Sequence, residues 1–425
     1  MRKIPSLIAT MTAAFGALTL GAALVADAAG AEIVVTPVAP PLAGSMNKLG
    51  SETLGRLVAH RGDKTVVVSP YGLGSALHLL SLGAAGSAEK SLRAKLLPSG
   101  VDAGKQGDGL IVLKRQILGA SRDRLKLTMA SAIFVPKSAT PSPRFVGTAR
   151  GVFDTSLEAL DFKSTNALER INAWAKEATH GLIPHVVEQL DPDARFVLAN
   201  AIYFNGAWDT AFDVARTAKA PFTRIDGSAR DAAMMDATMP TAFAEFDNLQ
   251  AVWLPYDGKD ISMLVIAPGP QRGPAEVSEA LKRQSLDVLM AAAFERRRMA
   301  SVQVRLPRFR AESNLDITDA LARQRLAPAL SARSDYRAIN KAKGGPLVVS
   351  HRAVLEVTEA GTKAAAATTI TTDRSLALPP IVFSADRPFA FAIVHRATQA
   401  ILFAGYIADP GDGPGPAPAE PKIVR

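Results

Sequence analysis

From about Met46 to Asp409 the chain carries regular apolar patterning with no internal repeat and no convincing linker, so this whole stretch must close around one body. A length of 425 residues would otherwise suggest two or three domains. The pattern alternates between two periods. Ser69-Pro70 opens a stretch with Leu73, Leu77, Leu80 and Leu82 at helical spacing, and Ala167 to Thr179 is a second helix ending at Gly181. Strands are expected at Leu125 to Val135, Phe196 to Phe204, Val252 to Leu254, Ile261 to Ala267, Val302 to Leu306 and Val348 to Val357, which are rich in β-branched and aromatic residues. Strands so far apart must pair non-locally, which makes the class α+β. With no cysteine in the chain, packing must supply the stability.

The flanks read differently. Met1-Arg2-Lys3 precedes an apolar run to Ala26, with small-x-small sites at Ala26-Asp27-Ala28 and Ala29-Gly30-Ala31. Residues 1–28 are expected to be a signal peptide, giving a secreted or periplasmic protein; a retained membrane anchor is the alternative. Residues 29–45 read as a Pro-rich flexible spacer, 46–410 as the folded domain, and 411–425 as a disordered Pro/Gly-rich tail that should not carry the function.

Several functions are excluded by what is missing. The net charge of +9 is spread along the chain, with Arg296-Arg297-Arg298 the one true run, so no specific nucleic-acid binding is expected. A looser group of Lys114, Arg115, Arg122, Arg124 and Lys126 gives a weak polyanion signal. There is no G-x-S-x-G, and the two S-x-x-K tetrads at Ser45 and Ser87 lack S-D-N and K-T-G partners. The six histidines never fall at i, i+4 spacing with a glutamate, and no phosphate-binding glycine loop occurs. The chain is therefore not expected to be an enzyme, and no metal or other cofactor is expected.

The most unusual segment follows the strand ending at Val357. It reads Glu359-Ala360-Gly361-Thr362-Lys363-Ala364-Ala365-Ala366-Ala367-Thr368-Thr369-Ile370-Thr371-Thr372, then Asp373-Arg374-Ser375-Leu376-Ala377-Leu378-Pro379-Pro380. Gly361 can act as a hinge, the alanines present almost no side chain, and the threonines favour a strand without demanding one. No proline before Pro379 forbids pairing within a sheet. In isolation the segment would read as a surface linker.

Its surroundings point elsewhere. Phe383 to Phe391 and Ile401 to Ile407 resemble the C-terminal signature of the serpin family. Val67-Val68-Ser69-Pro70 with Leu80 to Ala84, Ile171 to Trp174 with Thr179 to Ile183, and Asn200 to Trp208 are similar to earlier serpin motifs. Leu254-Pro255-Tyr256, Ser262 to Leu264 and Leu306-Pro307-Arg308-Phe309 continue the series in order.

The resemblance implies a fold of three β-sheets and eight or nine helices, with an exposed reactive-centre loop from about Glu359 to Pro380. It implies a monomeric suicide inhibitor of serine proteases, cut in the loop, acylated to its target and trapping it by inserting the loop into the central sheet. Glu359, Gly361, Thr362, Ala364, Ala365, Ala366 and Ala367 match a permissive hinge. Ala360 and Lys363 depart from the family pattern, Lys363 at a position expected to face outward. Two rulers place the reactive bond differently, at Arg374-Ser375 or at Ser375-Leu376. The first suits a trypsin-like protease and the second an elastase-like one. Ser69, Asn200 and His351 match a cluster beneath the central sheet, and Trp208 matches the point where insertion begins. Gly72 replaces the usual second serine there, which implies a looser network. Non-inhibitory serpins, acting as carriers, chaperones or storage proteins, and a plain protease substrate are the alternative readings.

Overall fold

The computed structural model describes residues 41–98, 101, 106–179, 181, 183–341, 345–362 and 379–414. Helix α1 (Pro41–Arg61) buries Leu42 and Ala43 in its first turn. Residues 41–45, expected to be flexible spacer, therefore belong to the body. Proline in a first helical turn loses no hydrogen bond, and the two apolar side chains have a core to enter.

Strand β1 (Val66–Val68) leads into α2 (Pro70–Gly83), where the Ser69 hydroxyl accepts the Gly72 N–H at 3.0 Å and Pro70 fixes the first turn. Helix α2 is buried on nearly every face, as a core helix should be. There follow α3 (Gly86–Leu96), α4 (Gln106–Leu118), β2 (Leu125–Pro136), α5 (Pro143–Phe153), β3 (Ser156–Leu160), α6 (Thr165–Ala178) and β4 (Phe196–Ala207). The chain then runs through β5 (Ala218–Thr223), β6 (Ala229–Phe246), β7 (Leu249–Pro255), β8 (Ile261–Pro268), α7 (Glu276–Arg283), α8 (Leu286–Glu295), β9 (Arg298–Pro307) and β10 (Phe309–Asp316). Last come β11 (Leu347–Val357), β12 (Gly361–Thr362), β13 (Ile381–Ser384), β14 (Phe389–His395) and β15 (Ala400–Ile407).

Among the described residues the strands form two hydrogen-bonded ladders. One has the order β10-β11-β4-β2-β3, with β12 added to β4. The other has the order β1-β15-β14-β8-β7-β6-β9-β13, with β5 added to β6. The third sheet expected from the resemblance is joined to its neighbour through the long β6. Its stretch Met234 to Phe243 pairs with β9, and Phe243 to Phe246 pairs with β7.

The face of the central sheet is set by strand alternation. On β4, Ile202 and Phe204 point into the core shared with the other sheet, while Val197, Ala199 and Ala201 point into a separate cluster under α6. Helix α6 closes that cluster with Ile171 and Trp174, the latter edge-on to Phe134 at 5.8 Å.

Candidate functional site: the seam between β4 and β11

In the central sheet the β10–β11 and β4–β2 pairings are antiparallel, while β2–β3 at the edge and β11–β4 in the interior are parallel. Strands β11 and β4 run parallel, paired from Leu347↔Phe196 to Val354↔Tyr203. Parallel ladders are slightly the weaker kind per residue, and of the two parallel pairings this is the one that β12 already adjoins on β4. Above Val354 the two strands no longer pair with each other. Instead Thr358 and Gly361 close a turn, with Thr358 N–H donating to Gly361 O at 2.8 Å and Gly361 N–H to Thr358 O at 3.1 Å. The chain reverses, and β12 runs antiparallel to β4, Gly361 opposite Ala207 and Thr362 opposite Gly206. Only glycine fits at 361: its φ is +127°, and a Cβ would lie 2.2 Å from Gly206 O.

The turn is fixed from several sides. Trp208 donates its indole N–H to Thr358 O and its backbone N–H to Ala360 O, both at 3.0 Å, and stacks on Tyr256 with ring centroids 4.4 Å apart. Phe212 N–H donates to Glu359 O at 2.9 Å. The Glu359 carboxylate, 2% exposed, accepts from Arg308 Nε at 2.7 Å, Arg308 Nη2 at 2.5 Å and Thr217 Oγ1 at 2.5 Å. A buried charge held this way is costly to orphan. Arg308 stands in the Leu306-Pro307-Arg308-Phe309 motif, but nothing local marks it as the partner of Glu359, 51 positions away. Thr217 gave no signal at all.

Lower on the seam, His351 and Asn200 are register partners. Ser69 N–H donates to His351 Nε2 at 2.8 Å, so the ring proton sits on Nδ1. Asn200 donates instead to Ser131 Oγ, at 3.1 Å. His351 Nδ1 and Asn200 Oδ1 are buried without a hydrogen-bond partner. A side chain at position 72 would put its Cβ 2.4 Å from Asn200 Oδ1, so Gly72 leaves the space that this oxygen occupies. Burial lowers the His351 pKa to about 4, which keeps the ring neutral.

The segment leading from α6 to β4 is tied on both sides. Asn172 of α6 accepts the Val186 and Val187 amides at 2.8 and 3.1 Å, while Ser350 and Arg352 of β11 donate to Val186 O and His185 O.

Of the residues singled out by sequence, the structure brings Trp208, Glu359 and Gly361 together at the top and places Ser69, Asn200 and His351 beneath. Thr362 is described by its backbone pairing. Ala364 to Ala367 and both versions of the reactive bond, among Arg374, Ser375 and Leu376, lie outside the described residues. In the basic group, Lys114, Arg122 and Arg124 pair with Asp154, Asp260 and Asp257. Arg297 and Arg298 lie over the rings of Phe294 and Phe243.

A family model described as Serpin (serine protease inhibitor) matches residues 44–410. Leukocyte elastase inhibitor of Bos taurus is 32% identical over 365 residues, covering 83% of this chain and 95% of the relative. The solved structure of native protease nexin-1 with heparin is 28% identical with a TM-score of 0.76, covering 87% of this chain and all of that one. Tengpin, a thermophilic serpin in the native state, shares the fold with a TM-score of 0.78 at 20% identity, over 86% of this chain and 94% of its own.

Proposed function

Because the chain belongs to the serpin family, we propose that it inhibits a trypsin-like serine protease as a suicide substrate, the loop beyond Thr362 becoming a new strand between β4 and β11. The observation that carries this reading is the register of β12. Continued one residue at a time down β4, it sets Ala364 opposite Phe204, Ala366 opposite Ile202, Thr368 opposite Asn200 and Thr372 opposite Phe196, where β4 begins. The run of loop residues compatible with a sheet ends where the strand ends, just before Asp373-Arg374.

The faces agree as well. Opposite residues share a side of the sheet. Thr362, Ala364, Ala366, Thr368 and Ile370 would therefore face the core with Phe204 and Ile202, and Ala367, Thr369 and Thr371 would lie beneath α6. The residues entering the narrow space under the helix are all small. Lys363 falls opposite half-buried Asn205, on the outer face above α6, where its charge stays wet.

In this reading the protease serine attacks the carbonyl of Arg374, the peptide bond breaks, and Ser375 leaves with the new amino group. Insertion then exchanges one parallel ladder for two antiparallel ones and draws the acylated protease down the seam before water can free it. Secretion rests on residues 1–28, outside the described structure. A polyanion is supported as a second partner only by the heparin complex of the nexin-1 relative, and three of the five basic residues already face aspartates.

Incubation with trypsin should give a covalent complex that survives SDS. Cleavage products without a complex would reject inhibition. After denaturing separation, the C-terminal fragment should begin at Ser375; a start at Leu376 would move the bond and favour an elastase-like target.

A further inference from the structure

We propose that Asp409 to Gly413, the segment just past β15, positions Arg308 on Glu359 and so sets how firmly the hinge is seated. The inference rests on the reading of Glu359 to Thr362 as an insertion hinge. It also reverses the expectation that the start of the tail is disordered and without function. The family match stops at residue 410, so most of this segment belongs to the chain's own ending.

Two sets of contacts carry it. Asp409 accepts from Arg224 Nε at 2.7 Å and from Arg230 Nη1 at 3.3 Å, and Asp412 pairs with Arg230. These arginines flank the turn of the β5–β6 hairpin, and Thr217 is the residue immediately before β5. The Asp409 carboxylate also accepts the Gly411 N–H at 2.8 Å, which curls the segment back onto the body. There Gly413, at φ +66°, lies directly on Arg308: a Cβ would come 2.9 Å from Arg308 Cβ and from Arg308 O. Arg308 is itself tied to the hairpin, its N–H donating to Ala233 O at 2.8 Å.

Two of the three donor contacts on the Glu359 carboxylate thus come from Arg308, which this segment braces, and the third from Thr217 at the far end of β5. Without the segment, Arg224 and Arg230 lose their carboxylates and one face of Arg308 opens to water. The hairpin and Arg308 then gain freedom, and the buried Glu359 carboxylate is held less well.

The test compares the full chain with a truncation after Ala408, with Gly413→Val, with Asp409→Asn/Asp412→Asn, and with the conservative Asp409→Glu. The direct readout is hydrogen exchange at the Trp208 and Gly361 amides, which bond to Ala360 O and Thr358 O. Truncation and Gly413→Val should speed exchange there at least tenfold while the urea midpoint moves little, and Asp409→Glu should restore slow exchange. With trypsin the same variants should give a larger cleaved fraction for each complex formed. Unchanged hinge exchange, or exchange that rises only in step with global unfolding, overturns the proposal. If the truncated chain does not fold, Gly413→Val and the double asparagine variant decide the matter by the same readout. If the wild-type chain forms no complex with trypsin, the inhibitory reading fails, and hinge exchange still judges this proposal.

Discussion

Residues at the seam are held in states that pH and a single Cβ can upset. His351 at the seam and His78 on α2, beside Gln106 of α4, are both buried and neutral, their pKa lowered by burial from 6.5 to about 4. An unfolded chain takes up protons below pH 6.5 that the folded chain refuses until about pH 4, so stability is full above that window and falls as pH drops through it. At pH 5 the loss should be about 2 kcal/mol per histidine relative to pH 7.5, at roughly 1.4 kcal/mol per unit. Urea unfolding at the two pH values measures it. His351→Gln keeps an acceptor for the Ser69 amide and should remove about half of the acid loss. At the hinge, Gly361→Val forces a β-branched residue to φ +127° and against Gly206 O. It should unseat β12 and shift the products with trypsin from complex to cleaved inhibitor by tenfold or more.

At the scale of elements, the face assignments separate two neighbouring positions. Ala366→Arg would drive a charge into the core opposite Ile202, whereas Ala365→Arg falls opposite half-buried Tyr203 on the other face. The first variant should lose at least tenfold in complex yield by gel densitometry and the second less than threefold. Equal losses would reject the register. The strands predicted at Leu125, Phe196, Ile261 and Val348 are all present, because continuous apolar or alternating runs mark buried strands whatever their partners. Absent from the expected elements were several helices, among them α1, whose small and polar residues hide its buried side, and β6 altogether. Its run from Ala229 to Phe246 breaks period because it serves two sheets. The hinge glycine could be found from its alanine neighbours. The Glu359–Arg308–Thr217 contact could not, since nothing local in three separated stretches links them.

For the whole molecule, the parallel β4–β11 seam is of the weaker kind, and the proposed loop strand would replace it with antiparallel pairing. Cutting the loop should therefore raise the thermal midpoint, although cutting a chain normally lowers it. A midpoint at least about 10 °C higher, corresponding to several kcal/mol at roughly 2–4 °C each, is expected by calorimetry of trypsin-cleaved protein. A lower midpoint would mean that the seam does not open. The segment from α6 to β4 is bonded to both α6 and β11, so the proposed opening would have to break or carry those bonds.

Strand β13 pairs with β9 and leads into β14 and β15, which lie well inside the larger sheet. Phe389, Phe391 and Phe403 on these strands are fully buried. A break near Arg374 therefore divides the covalent chain but not the particle, because the downstream piece supplies part of the core that the upstream piece needs. In the proposed mechanism a molecule cut without trapping its protease would keep nearly all of its mass and differ from a fresh one mainly in shape. The proposed insertion would then make the surface of the central sheet and the lost loop the features by which the two could be told apart.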